Sequence, residues 1–182
     1  HVGGARSSLE IWLNGQYIGF SQGAKTPAEF DLTPYLKPGN NLIAMQIRRW
    51  TDASYLESQD MLRVSGIERD VYLYATPKQH LYDFHVRPTL NKALDEGKLA
   101  LEVDLRNYAQ TAAVSVEYQL LDPSREMQLV ASGEQSVQLG QTATLQFAAT
   151  VKKPRLWSAE TPNLYTLVMT IKDADGQVLQ SV

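Results

Sequence analysis

Apolar and polar residues alternate along most of this chain with a period of two, the spacing that puts every second side chain on one face of an extended strand. Leu9, Ile11 and Leu13 form one such run; Ile43, Met45 and Ile47 share a face in a second; Leu99, Leu101, Val103 and Leu105 make a third. In a first region strands are predicted over 9–13, 17–20, 42–49 and 71–74. A second set is predicted over 81–87, 98–106, 113–121, 127–131, 143–151, 164–172 and 178–182. Between the sets, Thr76-Pro77 ends the alternation, because proline removes a ladder donor and fixes φ, so Pro77 to Gln79 is the expected hinge.

Turn chemistry fits this division. Asn14-Gly15 separates two apolar runs by two residues that tolerate positive φ, the pattern of a tight hairpin. Lys37-Pro38-Gly39-Asn40 supplies another turn, and Asp31 is placed to cap a short helical turn over 31–36. Asp173-Ala174-Asp175-Gly176 leads into the last strand, which is expected to be cut short at Val182.

The fold class predicted is all-β. Seven short strands in 78–182 match an immunoglobulin-like sandwich. Residues 1–77 offer about four strands where a jelly roll uses about eight, so they read as the C-terminal half of a jelly roll. Half a sandwich leaves its inner face uncovered. Preceding sequence, or a homodimer with a second copy, is expected to cover it.

Composition narrows the function classes. Of 182 residues, 17 are Lys or Arg and 20 Asp or Glu, a net charge of −3 that argues against nucleic acid or an anionic membrane as partner. No apolar run approaches the roughly 20 residues of a spanning helix. With no cysteine and three histidines, disulfides and thiolate metal sites are excluded. The chain opens on His1, and an internal piece of a longer polypeptide is the expectation.

Four motifs carry a resemblance. Glu10 to Phe20, EIWLNGQYIGF, resembles the "V-W-x-N-G-x-x-V-G" hairpin of the sugar-binding jelly roll in family 2 glycoside hydrolases. Glu29 to Leu36 with Gly39-Asn40-Asn41 resembles that domain's "F-D-[IL]-T-x-x-[LV]-x-x-G-x-N" segment. Ser65 to Leu73 resembles its closing "G-G-I-x-R-x-V-x-L" strand, and Pro154 to Tyr165 the late loop of the adjoining immunoglobulin-like domain. Within the family, Trp50 to Met61, WTDASYLESQDM, resembles the β-galactosidase form "W-[ST]-D-G-S-Y-[LI]-E-x-Q-D-M-W", with Ala53 in place of glycine and Leu62 in place of tryptophan.

The resemblance implies a parent enzyme that cleaves terminal β-D-galactosides with retention, using Na+ and Mg2+, while this segment supplies scaffold and no catalytic residue. No cofactor is expected in the segment alone. Its barrel domain would lie elsewhere in the same chain. The matching aspartate, Asp52, is expected to contact galactose hydroxyls and to ligate sodium, with Trp50 beside the substrate. A carboxylate suits both tasks, as a strong acceptor and a hard oxygen ligand. The compartment expected is the cytoplasm, with the periplasm as the alternative.

Other candidates read as structural. Glu57 and Asp60 are expected to face solvent or pair with Arg63 rather than act as acid and base; Trp12 and Trp157 to pack in a core or interface; His80 and His85 to lie at the surface or between domains; Arg69 and Asp70 to form an ion pair. Two rival functions are a stand-alone carbohydrate-binding module and a structural β-sandwich pair belonging to no enzyme.

Overall fold

The computed structural model describes all residues except 58, 61, 63 and 123–126. The chain divides into two compact units, His1–Ala75 and Thr76–Val182.

The first unit is built on the hairpin that the sequence predicts. Strands β1 (Ala5–Arg6) and β2 (Ser8–Leu13) lead into β3 (Gln16–Gln22), and β4 (Ile43–Arg48) pairs with the other side of β2, giving the antiparallel order β3-β2-β4. Asn14 and Gly15 take φ of 54° and 82°, the paired positive angles of a hairpin twisted like its strands. The turn is latched from outside: Asn14 Nδ2 donates to Asn41 Oδ1 at 2.8 Å and Asn14 Oδ1 accepts from Leu42 N at 3.1 Å. Asn41 in turn accepts from Lys37 N and donates to the Lys37 and Gly39 carbonyls. The two motif asparagines therefore serve architecture. Leu9, Ile11 and Leu13 are buried on one face of β2, opposite Ile47, Met45 and Ile43 of β4.

A 3-10 turn at Thr33–Tyr35 confirms the helical turn, with the Asp31 carboxylate accepting from Thr33 N at 2.9 Å. A short helix, α1 (Ala53–Glu57), and a two-residue strand, β5 (Gly66–Ile67) paired with β1, complete the unit. The strand expected over 71–74 is not formed: Val71 makes one bridge to Val2, and Val71 to Tyr74 are exposed. Its alternation was real, but past Val2 and His1 no described strand lies alongside to continue a ladder. The expected Arg69–Asp70 ion pair is also absent; Arg69 Nη1 donates instead to the Lys25 carbonyl at 3.0 Å.

Among the described residues the second unit has seven strands: β6 (Gln79–Leu90), β7 (Glu96–Asn107), β8 (Ala112–Leu121), β9 (Leu129–Leu139), β10 (Thr142–Lys152), β11 (Thr166–Asp173) and β12 (Val178–Ser181). They form sheets of order β10-β7-β6 and β12-β11-β8-β9, the layered arrangement expected of an immunoglobulin-like sandwich. The alternating residues of β7 pack against Val114, Val116, Tyr118, Met169 and Ile171 of the other sheet. Tyr118 meets Phe147 edge to face across the layers at 5.2 Å.

β9 is longer than the 127–131 segment expected, because its later half is polar and half exposed and gives no apolar alternation. Its register sets Gly133 opposite Tyr118, and a Cβ there would lie 2.7 Å from the tyrosine ring. Glycine at this point leaves room for the core aromatic. His80 is not at the surface: it is buried, its Nδ1 is 2.9 Å from the Pro77 carbonyl, and its ring stacks with Tyr108. The unit's densest polar anchor is Asn107, buried at the end of β7, whose Nδ2 donates to the Gln110 and Leu139 carbonyls while Oδ1 accepts from Ala109 N.

Replacing Asn107 with Ala strands these backbone groups, and leaving buried polar groups unmade costs about 1–3 kcal/mol. Urea unfolding of N107A is expected to show a loss of that size; a loss within the error of the measurement would mean that the three bonds add nothing.

Candidate functional site

The stretch after β4 is where the chain leaves the sheet. Arg49, Trp50, Thr51 and Asp52 lead directly into α1, and Asp52 starts that helix by accepting from Ala53 N at 2.9 Å. A helix of five residues has almost no internal support, so outside bonds must fix it. Ser54 Oγ accepts from Thr51 N at 3.0 Å and lies 3.1 Å from both Ser7 Oγ and the Arg49 carbonyl. Ser7 Oγ also meets Thr51 Oγ1, and Ser7 N donates to the Arg48 carbonyl at 3.0 Å. Ser7 and Ser54 are buried, so this hydroxyl cluster ties the turn to the β1–β2 junction.

Both ends of α1 are tied to one further segment, the exit of β3. At the front, Gln22 Nε2 donates to Asp52 Oδ1 at 2.8 Å. At the back, Ala24 N donates to Glu57 Oε1 at 3.2 Å. Asp52 itself is exposed, and its Oδ2 has no hydrogen bond among the described residues. The bond from Gln22, and after it the bond from Ala53 N, hold its carboxyl below the ordinary aspartate range. Both bonds favour the anion, so their support of α1 is full above that range and is lost as pH falls through the lowered value.

Trp50 stands in the same turn, 61% exposed, with the Arg49 guanidinium 5.1 Å from its ring centroid. Tyr55 and Leu56 are exposed at 89% and 81%, so the outer side of α1 is an aromatic and apolar surface. The structure thus brings Trp50 and Asp52 into one exposed turn.

The remaining candidates lie elsewhere or are already engaged. Glu57 is half-buried and holds Ala24, while Asp60 is exposed beyond the helix; their expected pairing with Arg63 lies outside the described residues. Trp12 is half-buried against Tyr17, at 5.6 Å between rings. Trp157 is 62% exposed and bridges to Pro162, so it is not part of the sandwich core. His85 is exposed beside Arg87. Among the described residues no cluster of three His, Cys, Asp or Glu side chains is placed to hold a metal ion. Gln22 and Ser7 carry no sequence signal beyond polarity at a strand end, and Ser54 none beyond its place in the short helix after Asp52.

Comparison with known proteins agrees with this geometry. Residues 2–77 match the family described as "Glycosyl hydrolases family 2, sugar binding domain", and residues 79–182 match "Glycosyl hydrolases family 2". A small β-unit with an exposed turn, followed by an immunoglobulin-like sandwich, fits the β-domains of a glycoside hydrolase. The chain belongs to glycosyl hydrolase family 2. It is 42% identical over 180 residues to a β-galactosidase of Priestia megaterium, covering 98% of this chain and 17% of that protein. It is 40% identical over 181 residues to a β-galactosidase of Enterobacter cloacae, covering 97% of this chain and 18% of that one. The crystal structure of a Bacteroides uniformis β-glucuronidase superposes with a TM-score of 0.87 at 25% identity, over 100% of this chain and 23% of that one. The chain therefore spans less than a fifth of the length of these curated relatives.

Since Gln22 contributes most to the low pKa of Asp52, Q22M is expected to raise it toward the ordinary aspartate value. Carboxyl-carbon NMR titration checks this; an unmoved Asp52 would mean that the Gln22 bond is not made in solution.

Proposed function

We propose that this chain is the non-catalytic, N-terminal portion of a β-galactosidase that hydrolyses terminal β-D-galactosides with retention, and that Asp52 is its one contact with substrate and sodium. The observation that carries the reading is the state of the Asp52 carboxylate: Oδ1 is fixed by Gln22 and Ala53, and Oδ2 is left open on an exposed turn. An anchored, ionised carboxylate accepts strong hydrogen bonds from sugar hydroxyls without reordering. The names of the relatives, β-galactosidase in both cases, supply the substrate class.

Retaining hydrolysis needs two carboxylates about 5–5.5 Å apart across the scissile bond. Glu57 is committed to Ala24, so the pair is assigned to a barrel domain of the same polypeptide. In that assembly Trp50 would line the sugar site beside Asp52.

The donor set fits sodium in part. Asp52 Oδ2 is a hard oxygen ligand of low charge, and the other ligands of such an ion would come from the barrel and water. Bound there, the ion would orient a sugar hydroxyl against the carboxylate. For Mg2+ the described residues offer no acidic cluster, so no step is assigned to it in this chain.

In the full-length enzyme, D52N is expected to raise KM for a galactoside about tenfold to a hundredfold, the loss of one charge-assisted hydrogen bond, and to flatten the dependence on sodium. Unchanged KM and sodium dependence would end this reading.

A second reading, a sugar-binding module active on its own, is favoured by the description of the family matched over 2–77 and by the exposed Trp50 beside Asp52. Calorimetric titration of galactose or lactose into the isolated chain separates the two. No saturable heat is expected, because a single turn offers one wall of a site; a micromolar Kd would favour the module. Sedimentation of the same samples reads whether a second copy covers the inner face of the first unit.

A further inference from the structure

Arg6 Nη2, Ser8 Oγ and Glu57 Oε2 are buried with no hydrogen-bond partner among the described residues. Arg6 and Glu57 line the same cavity, whose wall they share with Ser7, Arg49, Trp50, Ser54 and Val64. The cavity has a volume of about 10 Å³, the room of one water molecule. Arg6 is only 5% exposed, and its Nη1 lies 3.6 Å from Glu68 Oε1, so its ion pair is with Glu68 and not with Glu57. Glu57 spends Oε1 on Ala24 N. Arg6 and Glu57, each carrying one buried polar atom without a partner, therefore line one small void together.

Such a void does not stay dry. Buried charged groups are costly when unpaired, and internal waters settle where two or more polar groups converge. A water here would accept from Arg6 Nη2 and donate to Glu57 Oε2, and the hydroxyls of Ser7 and Ser54 stand in the same wall for its second proton.

We propose that one ordered water bridges Arg6 Nη2 to Glu57 Oε2, and that Glu57 is thereby a positioning residue for Asp52. Glu57 closes the back of α1 and Asp52 opens its front; Asp52 is bonded to the last residue of β3 and Glu57 to Ala24 just beyond it. With Oε2 held through the water to β1, the helix is fixed on two sides and the Asp52 carboxylate keeps one orientation. This inference rests on the assignment of Asp52 to the sugar.

The test is a double-mutant cycle in the full-length enzyme. E57M, similar in volume and without either acceptor, is expected to raise galactoside KM about fivefold, with the effect on KM larger than that on kcat. In a D52N background it is expected to add less than about twofold, because a positioning residue has nothing left to position. A change that multiplies in full on D52N, or no change in KM where D52N alone raises it, overturns the proposal. Should E57M not fold, E57Q keeps an acceptor for Ala24 N and loses the charge facing Arg6; about a twofold rise in KM, again absent in D52N, is expected, and its absence counts against the proposal. If D52N alone leaves KM unchanged, the assignment of Asp52 falls, and the bridge is then judged by a high-resolution crystal structure. Density within hydrogen-bonding reach of both atoms upholds it; an empty cavity or a direct Arg6–Glu57 pair overturns it.

Discussion

A one-and-a-half-turn helix cannot hold its own shape in water, and the placement of Asp52 depends on how α1 is held from outside. The chain solves this with side chains that cost little to order. Ser7, Thr51 and Ser54 are short and lose little rotamer freedom on burial. They join the helix start to the β1–β2 junction, and Gln22 and Ala24 join both helix ends to the exit of β3. The sheet below is set by Leu9, Ile11 and Leu13, so the route from apolar alternation to the exposed carboxylate runs through one strand and one layer of hydroxyls.

The two units differ in how they are stabilised. Thr76–Val182 closes a core of its own between two sheets, with aliphatic rows from β7, β8 and β11 and one aromatic pair across the layers. His1–Ala75 relies far more on polar connections: the Asn14–Asn41 latch, the Glu68 carboxylate shared by Arg6 and Lys25, and the hydroxyl cluster. Glu68 is held below the ordinary glutamate range, first by the bond from Lys25. A polar framework of this kind fixes direction well and contributes less burial, which suits a part that presents one group on a turn.

Much of the architecture was legible in the sequence because its causes are local. Asn14-Gly15 dictates its hairpin whatever surrounds it, and the rows of β7, β8 and β11 announce their buried face by alternation alone. The failures share the opposite cause. β9 is held by its neighbour β8 and not by its own pattern; 71–74 had the pattern but, among the described residues, pairs only with His1 and Val2; His80 is buried beside a stacking partner nearly thirty positions away. Asp52 was legible only through the resemblance of its surroundings, since an aspartate opening a short helix is ordinary. Gln22, which bonds it, and Ser7, which holds its neighbours Thr51 and Ser54, lie tens of residues back in the chain, and no spacing rule connects them to it.

β4 has a consequence for handling the molecule. It forms the outer rail of its sheet, bonded to β2 on one side, and Leu42 and Ile43 at its start are exposed at 74% and 41%. A free rail of amides and carbonyls bordered by aliphatic groups is a template on which another extended segment can grow. An extended segment, from the same polypeptide or from another copy, would add there edge to edge, and a single lysine set into that rail would weaken such pairing.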